Sequence, residues 1–455
     1  MKKLLKSREL ALGILALVLI VIISVNNQRF LSAVNLMNVL KSNIILAIVS
    51  CGMLVVMITG GIDASVGAMI STTTLIVGNF LVHVSPNPVL AYVLGMLIGY
   101  IVLLFINPAG AGEAIDTVIK NFLTYSRPDT QMKYLGNTLV KTAPLLMCSL
   151  SILFAYKVGL FNIGAAGQYC FGVALSLYAA LGLGWSWLPC LLVAMAGGAV
   201  LGAISGVLKS YCNVNEVISG IMLNWIVLYL TNMLLTTVKE AASPYTIVLA
   251  NNNPSAVLPS LGLGALFNKN QYVGLAIPLS IVMAILIWIV LDKTRFGYEL
   301  KATGFNRNAA KYCGMAEKRN VILSLVISGA LAGMGAALLY LTGYEQWQCS
   351  TSSVPAMGFN GIAAAFLGGL NPLGTVLASF FIQHITAGGA YVDKSLYCAQ
   401  ISDLISSIII YLCGFVLFMK HVMNSSIAKR EEKAALKAKA AAEQDAANGK
   451  GGDQA

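Results

Sequence analysis

Eight polar side chains lie within or at the edges of long apolar stretches of this sequence, where they could hydrogen-bond a polar molecule. Amide, carboxylate and imidazole groups are costly where water is scarce, so such positions are candidates for a functional role. The same groups also join helices through hydrogen bonds, which is the structural alternative for each of them. The eight residues are Asn162, Gln168, Glu216, Asn224, Glu345, Gln346, Gln383 and His384.

Residue types that carry out covalent chemistry are sparse and scattered. The nine cysteines mostly stand singly without a CxxC pair, and the three histidines are at positions 83, 384 and 421. These spacings suggest neither a zinc site nor a disulfide framework. No phosphate-binding GxxxxGK[ST] loop occurs, and no cluster of nucleophile and base appears. We therefore expect no enzyme, no metal and no cofactor bound by this chain.

The composition indicates a chain surrounded by lipid. Hydrophobic residues make up 58% of the 455 residues and charged residues 10%, with a mean hydropathy of +0.79, whereas soluble domains carry about a quarter charged residues. Many apolar stretches approach the roughly 20 residues with which a helix crosses a bilayer. The sequence thus predicts an all-α polytopic membrane protein. The stretches are 9–25, 44–58, 66–84, 89–107, 137–157, 163–182, 187–208, 217–238, 272–291, 321–341, 361–390 and 400–420.

The net charge of +11 is concentrated in three blocks beside apolar stretches. These are the N-terminus, residues 293–319 (here called the basic segment) and the chain from residue 420 onward. Such clusters mark the cytoplasmic faces of membrane proteins, so the basic segment and both termini are predicted to be cytoplasmic. The location of the charges beside apolar stretches argues against nucleic-acid binding. Residues 424–455 are predicted to be a frayed or disordered tail.

Residues 357–390 are predicted to enter and leave the membrane by the same face. The basic segment and the tail share one side only if an even number of crossings separates them, and 321–341 and 400–420 already supply two. Irregular backbone at membrane depth must be enclosed by protein or line a watery cavity, so 357–374 is a candidate pathway element. The predicted break in this re-entrant or broken helix pair contains Gly368, Gly369, Asn371, Pro372 and Gly374.

Two segments share an Asx residue followed by small residues at the start of an apolar stretch. They are GGIDASVGA at 60–68 and GLFNIGAAGQ at 159–168. Asp63 and Asn162 are predicted to cap the helices that follow. The similarity between the two segments reflects either two ordinary N-caps or a duplicated element of one membrane fold.

Four stretches resemble one family, the nucleoside permeases of the ABC superfamily, which work with lipoproteins of the basic-membrane-protein type. They are GLFNIGAAGQ (159–168), NEVISGIMLNW (215–225), ATGFNRNAAKYCGM (302–315) and MGFNGIAAAFLGG (357–369). The resemblance covers roughly 90–425 and implies the fold of branched-chain amino acid and ribose permeases, with about ten core helices, some re-entrant or broken. It implies nucleoside import across the bacterial inner membrane, driven by ATP and magnesium on a separate cytoplasmic ATPase.

The third stretch resembles the loop by which importer permeases dock on their ATPase. Small side chains on a short helix would permit insertion into a cleft of the partner, and a glycine would let the chain turn. Many importer permeases have Glu where this chain has Asn, and the alternative is an ordinary basic loop. The residues concerned are Arg307, Asn308, Ala309, Ala310 and Gly314.

The resemblance and the polar positions together suggest a substrate pathway and further partners. Trp225, Phe359 and Trp347 could stack on a base, although an interfacial anchor suits Trp347 better. Glu216 could simply begin helix 217–238 beside Lys209. A second permease subunit, by resemblance a paralogue, and an extracellular substrate-binding lipoprotein are expected, the latter near the predicted outer loop 239–271. The predicted pathway residues are Asn162, Gln168, Glu216, Asn224, Trp225, Phe359 and Asn360.

Residues 1–88 resemble instead the start of a ribose-type sugar permease, in FLSAVNLMNVLKSN (30–43) and VMITGGIDASVGA (56–68). About three extra helices are expected there. Three crossings from a cytoplasmic start would leave residue 85 outside, whereas the core needs residue 89 inside, so we predict a fusion or else a re-entrant prefix helix. The predicted domains are 1–88, the nucleoside-permease-like 89–423 and the tail 424–455. A ribose-type sugar permease and a secondary transporter are the alternative functions.

Overall fold

The computed structural model describes residues 110–392 together with Leu97, Tyr100, Leu104 and Pro108. The prefix 1–88, the predicted span 400–420 and the tail 424–455 lie outside the described residues, as does nearly all of 89–107. Every described residue belongs to one compact unit.

The described part of the chain is helical, as the sequence predicts. It contains no strand, and its β-structure is limited to isolated bridges of Lys239 with Thr246 and of Tyr245 with Gln348. Short helical turns lie at Asn121–Thr124, Thr236–Val238, Leu249–Asn252, Pro254–Ala256, Leu263–Phe267 and Gly389–Tyr391. The longer helices are α1 (Ala111–Lys120), α2 (Pro128–Tyr156), α3 (Ala165–Leu181), α4 (Trp187–Tyr211), α5 (Glu216–Leu235), α6 (Ala276–Lys293), α7 (Arg295–Phe305), α8 (Arg307–Tyr312), α9 (Glu317–Tyr340), α10 (Ala356–Leu367) and α11 (Pro372–Gly388).

Five of these helices, α2, α4, α5, α6 and α9, are long and apolar enough to cross a membrane. Shorter apolar helices, α3 and α10, lie between them. The start of α2 differs from the prediction, because the helix begins at Pro128 and not at 137. Pro128 occupies the first turn and Asp129 faces the positive end of the helix dipole, which favours a helix start that hydropathy alone does not reveal.

Burial divides the five spanning helices into an inner and an outer group. In the most apolar stretch of α2, 89% of the residues are buried, and in that of α9, 72%. The corresponding values are 44% for α4, 33% for α5 and 28% for α6. Helices α2 and α9 therefore form the centre of the bundle, and the apolar outer faces of the other three are available to lipid or to another subunit.

Helices α4 and α9 pack with their backbones in contact. A Cβ at Gly198 would collide with the carbonyl oxygen of Gly329, and one at Gly329 would collide with that of Gly198. A Cβ at Gly202 would likewise collide with the carbonyl oxygen of Leu325. Small residues that admit close approach are the usual means by which helices associate in a membrane, where lipid removes most of the hydrophobic driving force.

Helices α10 and α11 form a hairpin that runs along α2 in both directions. In α10, a Cβ at Gly361 would lie 2.8 Å from Cβ of Cys148, while the Phe366 ring meets that of Tyr156, at the end of α2, with centroids 5.4 Å apart. In α11, the chain returns, and the hydroxyl oxygen of Ser379 lies 3.4 Å from that of Ser149. The predicted broken pair of helices is thus confirmed.

The turn of this hairpin is built by residues suited to ending one helix and starting another. Gly369 and Leu370 have positive φ values of 66° and 55°. The side chain of Asn371 accepts hydrogen bonds from the backbone N–H groups of Leu373 (2.9 Å) and Gly374 (3.4 Å), which caps α11. The tip lies beside the end of α2, at the end of the bundle that carries the basic segment, here called the basic end.

Candidate functional site

Asn162 lies at the centre of a buried hydrogen-bond network and is 5% exposed. Its amide nitrogen donates to the side-chain oxygen of Gln168 (2.8 Å) and to the hydroxyl of Ser328 on α9 (2.7 Å). That hydroxyl in turn donates to the carbonyl oxygen of Ser151 on α2 (2.7 Å). The prediction that Asn162 caps the next helix is wrong, because the N-cap of α3 is Gly164 and no side chain hydrogen-bonds the start of this helix as a cap. Asn162 instead ties α3 to α2 and α9.

Asn224 fastens α5 to the first turn of α3. Its side-chain oxygen accepts a hydrogen bond from the backbone N–H of Gly167 (2.7 Å), and its nitrogen donates to the carbonyl oxygen of Ile163 (3.1 Å). One turn earlier, a Cβ at Gly220 would lie 2.8 Å from the backbone nitrogen of Gly164. Both Asn224 and Gln168 are 2% exposed. The structure therefore favours the structural alternative for Asn162, Gln168 and Asn224.

Two other predicted pathway residues are exposed, and a third is half-buried. Trp225 is 45% exposed and stacks on Tyr229, and Phe359 is 40% exposed. Asn360 is half-buried. Helices α5 and α10, which carry these residues, both pack on the first turn of α3, through Asn224 and through Gly358 against Ala166. These aromatic side chains remain candidates for contact with a flat ligand.

Glu216 begins α5, as one of the two predictions for it states. Asn215 caps the helix by accepting a hydrogen bond from the backbone N–H of Val217 (2.9 Å). The carboxylate of Glu216 lies 2.6 Å from the ammonium nitrogen of Lys209 at the end of α4, and both side chains are largely buried. This ion pair joins α4 to α5 at the basic end.

Trp347 belongs to the protein core and not to the membrane interface. It is 3% exposed, and its indole N–H donates to the side-chain oxygen of Asn232 (2.9 Å). Its backbone carbonyl accepts a hydrogen bond from Thr246 (2.9 Å), which links it to the loop predicted to lie outside. The anchor prediction for Trp347 is therefore wrong, because its ring and polar atom are both occupied inside the protein.

Three of the four other polar candidates have partners within the chain, and the fourth is buried. Glu345 forms an ion pair with Lys141 on α2 (2.8 Å), and Gln346 donates to the carbonyl oxygen of Thr246 (2.7 Å). The Nε2 atom of His384 lies 2.8 Å from the carbonyl oxygen of Ile119. Gln383 is 5% exposed. These residues hold the end of the bundle opposite the basic end.

The middle of the basic segment forms a short exposed helix, α8, between two turns. Asn306 caps α8 by accepting a hydrogen bond from the backbone N–H of Ala309 (3.0 Å), and Gly314 ends it with φ of 78°. Asn308 and Ala309 are exposed and Arg307 is partly exposed, whereas Ala310 is only 4% exposed and packs inward. Of the two alanines predicted to enter a partner's cleft, only Ala309 therefore faces outward.

Two exposed aromatic residues stand close to the two ends of this helix, and the sequence analysis did not single them out. Phe305 is 95% exposed and Tyr312 is 92% exposed, the highest values among the large hydrophobic residues that the structure describes. Aromatic side chains are enriched in the cores of protein interfaces. A sequence clue existed, since one aromatic residue stands at each end of the motif FNRNAAKY, at 305–312.

Comparison with known proteins places the sequence in a permease family. Residues 134–414 match the family described as branched-chain amino acid transport system / permease component. The chain belongs to this family. It is a multi-pass membrane protein of the ABC permease type, and such permeases work with an ATPase and a substrate-binding protein. No solved structure matches it.

Two curated relatives match about two thirds to three quarters of the permease. The guanosine ABC transporter permease protein NupP of Bacillus subtilis is 31% identical over 299 residues, which is 65% of this chain and 84% of the relative. The nucleoside ABC transporter permease protein NupB of Lactococcus lactis is 31% identical over 351 residues, which covers 74% of this chain and 92% of NupB. A shorter match, 38% over 78 residues, is to the ribose import permease protein RbsC of Bacillus subtilis and covers 17% of this chain and 24% of RbsC.

In this permease α7 contacts both the turn that follows α2 and the helix α9. A Cβ at Gly304 would lie 2.5 Å from the carbonyl oxygen of Lys157 and 2.7 Å from the carbonyl carbon of Val158, in the turn that follows α2. Asn320 of α9 donates to the hydroxyl of Thr303 (3.0 Å). A displacement of α7 and α8 would therefore act directly on the turn 157–164, which contains Asn162.

Proposed function

We propose that this permease carries nucleosides across the bacterial cell membrane as the transmembrane subunit of an ATP-driven importer. The observation that carries the proposal is its similarity to NupP and NupB, because the chain covers 84% and 92% of their lengths. Both relatives are named as guanosine or nucleoside permeases. Exposed aromatic side chains at Trp225 and Phe359 support it, because flat rings of this kind stack on nucleobases.

Helix α8 is the proposed contact with the ATPase, which binds the ATP and magnesium. Its outward face offers Asn308 and Ala309, with Phe305 and Tyr312 at its two ends. Such a face can enter an apolar cleft, while Arg307 adds a charge at its start. Gly314 ends the helix in a conformation that side chains rarely adopt. No cofactor is assigned to this chain itself.

The remaining partners and the location belong to the same proposal. A second permease subunit, a paralogue of this chain, would complete the pathway, and an extracellular lipoprotein would deliver the nucleoside. The loop 239–271 lies at the end opposite α8, where Thr246 binds Trp347, and could meet that lipoprotein. Both termini and α8 are placed in the cytoplasm on the distribution of positive charge.

Uptake of labelled substrates tests the proposal. Cells that lack their own nucleoside uptake would express the full chain together with its ATPase, second permease and lipoprotein. Labelled guanosine should accumulate, and an excess of unlabelled nucleoside should abolish this uptake while ribose should not. A matched strain with a catalytically dead ATPase should show no accumulation. Uptake that persists in that strain but collapses with an ionophore would instead indicate a secondary transporter.

Ribose import is the second candidate function, and the match to RbsC favours it. That match extends over 78 residues, or 17% of this chain. The same assay with labelled ribose decides between the two cargoes. Accumulation of ribose that unlabelled guanosine does not inhibit would overturn the nucleoside assignment and leave the permease assignment intact.

A further inference from the structure

A cavity opens at the basic end of the bundle where three parts of the chain meet. Its volume is about 680 Å³, within the range of about 300–1,000 Å³ typical of small-molecule sites. The end of α2 with the turn after it, the end of α7, and the tip of the α10–α11 hairpin each contribute to its wall. The lining includes Tyr156, Lys157, Phe161, Lys301, Phe305 and Leu370.

The cavity carries an excess of positive charge. Lys301 forms an ion pair with Asp292 (2.9 Å), and both side chains are about 40% exposed. Lys157, in contrast, has no carboxylate within 4.0 Å among residues 110–392. Burial lowers the pKa of Lys157. The nearby charge of Asp292 raises this pKa, and that of Lys301 lowers it further. The three groups together therefore hold one uncompensated positive charge, which an anion would neutralise.

The other walls of the cavity are apolar and aromatic. The rings of Tyr156 and Phe161 both contact Phe366 of the hairpin, with centroids 5.4 Å and 6.5 Å away. Tyr156 is 41% exposed and is the last residue of a helix that is long and apolar enough to cross a membrane. Basic pockets between membrane helices on the cytoplasmic side are suited to the headgroups of anionic lipids.

We propose that this cavity binds a phosphate-bearing ligand, specifically the phosphate of an anionic phospholipid in the leaflet next to the basic segment. Lys157 and Lys301 contact the phosphate, and the rings of Tyr156 and Phe161 contact the glycerol and acyl carbons. A lipid is favoured over a soluble phosphate compound because apolar side chains form most of the wall. Since α7 and the hairpin tip share the cavity, the bound lipid also braces α7 against the turn after α2.

The alternative is that Lys157 only extends its ammonium group to water beside the membrane surface, as lysines at helix ends often do. Such a lysine would attract anionic lipids weakly and would hold none of them through purification. Lipid retained by the purified protein therefore separates the two interpretations, and this measurement does not depend on transport or on the identity of the substrate.

Native mass spectrometry of the full-length chain in nanodiscs of phosphatidylcholine and phosphatidylglycerol tests the proposal. The wild-type chain should retain phosphatidylglycerol, and Lys157→Gln and Lys301→Gln should each weaken retention about fivefold, as expected for about 1 kcal/mol per lysine. Lys157→Arg keeps the charge and should retain the lipid. Lys318→Gln is the matched control, because Lys318 is a basic residue of the same segment outside the cavity wall and packs over Tyr211.

Each outcome of this experiment decides something about the site. A variant that combines Lys157→Gln and Lys301→Gln is measured as well, and retention of the lipid by this folded variant equal to that of the wild type would overturn the proposal. Millimolar glycerol phosphate could displace the lipid from the wild-type chain and have no effect on Lys157→Gln. This result would show that the phosphate alone is recognised and that a soluble compound can fill the site. Failure of nucleoside uptake would leave the lipid result unaffected.

Discussion

At the scale of single residues, the buried amides have hydrogen-bond partners within the protein, which favours a structural role for them. The side chain of Asn162 hydrogen-bonds that of Gln168, and the side chain of Asn224 hydrogen-bonds the backbone of α3. Each of the three amides is at most 5% exposed. Polarity within an apolar stretch correctly marked them as special, but it could not distinguish a ligand site from helix packing. The partner of Asn224, Gly167, lies 57 residues away in sequence, and that pairing exists only in the folded chain.

Replacement of Asn224 by Ala should destabilise the permease without a specific effect on substrate affinity. The change leaves the backbone N–H of Gly167 and the carbonyl of Ile163 buried without partners, at a cost of about 1–3 kcal/mol each. The melting temperature of the detergent-solubilised chain should fall. Asn308→Ala, at an exposed position, is the control and should melt like wild type. Normal stability with a raised KM for nucleoside uptake would instead make Asn224 a pathway residue.

At the scale of elements, α8 shows what a local motif can and cannot predict. The residues from 306 to 314 form the expected short helix with a capped start and a glycine end. Which side of that helix faces outward depends on how α7 and α9 hold it. For this reason the inward packing of Ala310 and the outward position of Phe305 and Tyr312 could not be predicted from the motif alone.

Removal of the aromatic ring at the end of α8 should weaken association with the ATPase. Tyr312→Ala is expected to lower the affinity about fivefold to thirtyfold, the loss for an interface anchor worth about 1–2 kcal/mol. Co-purification and equilibrium binding of the ATPase to the detergent-solubilised permease measure it. Tyr298→Ala is a matched control, since Tyr298 is 65% exposed on the neighbouring helix. An equal effect of both substitutions would show that α8 is not the specific contact.

The contact between Gly304 and the turn after α2 should couple the ATPase to the membrane helices. A methyl group at Gly304 would meet the backbone of Lys157 and Val158, so Gly304→Ala must push α7 away from this turn. The number of nucleosides imported per ATP hydrolysed should fall severalfold, while the ATPase still binds. Gly112→Ala, where the added methyl group meets no atom within 4 Å, should leave this ratio unchanged. An unchanged ratio in Gly304→Ala would exclude this contact from the coupling.

At the scale of the whole molecule, the sequence predicts which helices exist better than it predicts where they lie. Hydropathy identified α4 and α9 as equally apolar, at 2.2 each, yet their burial is 44% and 72%. The hairpin was predicted because charge parity and a glycine-rich break both require it. Which helices lie at the centre of the bundle and which at its surface could not be predicted. This arrangement depends on glycine contacts between helices, such as Gly198 with Gly329, that no single segment specifies.

The prediction that residues 1–88 are a fusion can be tested by removing them. Three crossings in that prefix would place residue 89 on the wrong side for the core, while 74% of the chain suffices to cover 92% of NupB. A chain that starts at Val89 with an added start codon should therefore retain nucleoside uptake at normal membrane levels.

The matched truncation for this test starts at Pro128 and also removes α1. It should fail to accumulate, because Val118 of α1 is fully buried and Gly388 of α11 packs against its backbone. If the chain from Val89 reaches the membrane in normal amounts but does not transport, the prefix is part of the working permease. The parity conflict would then have to be resolved by a re-entrant helix within residues 1–88.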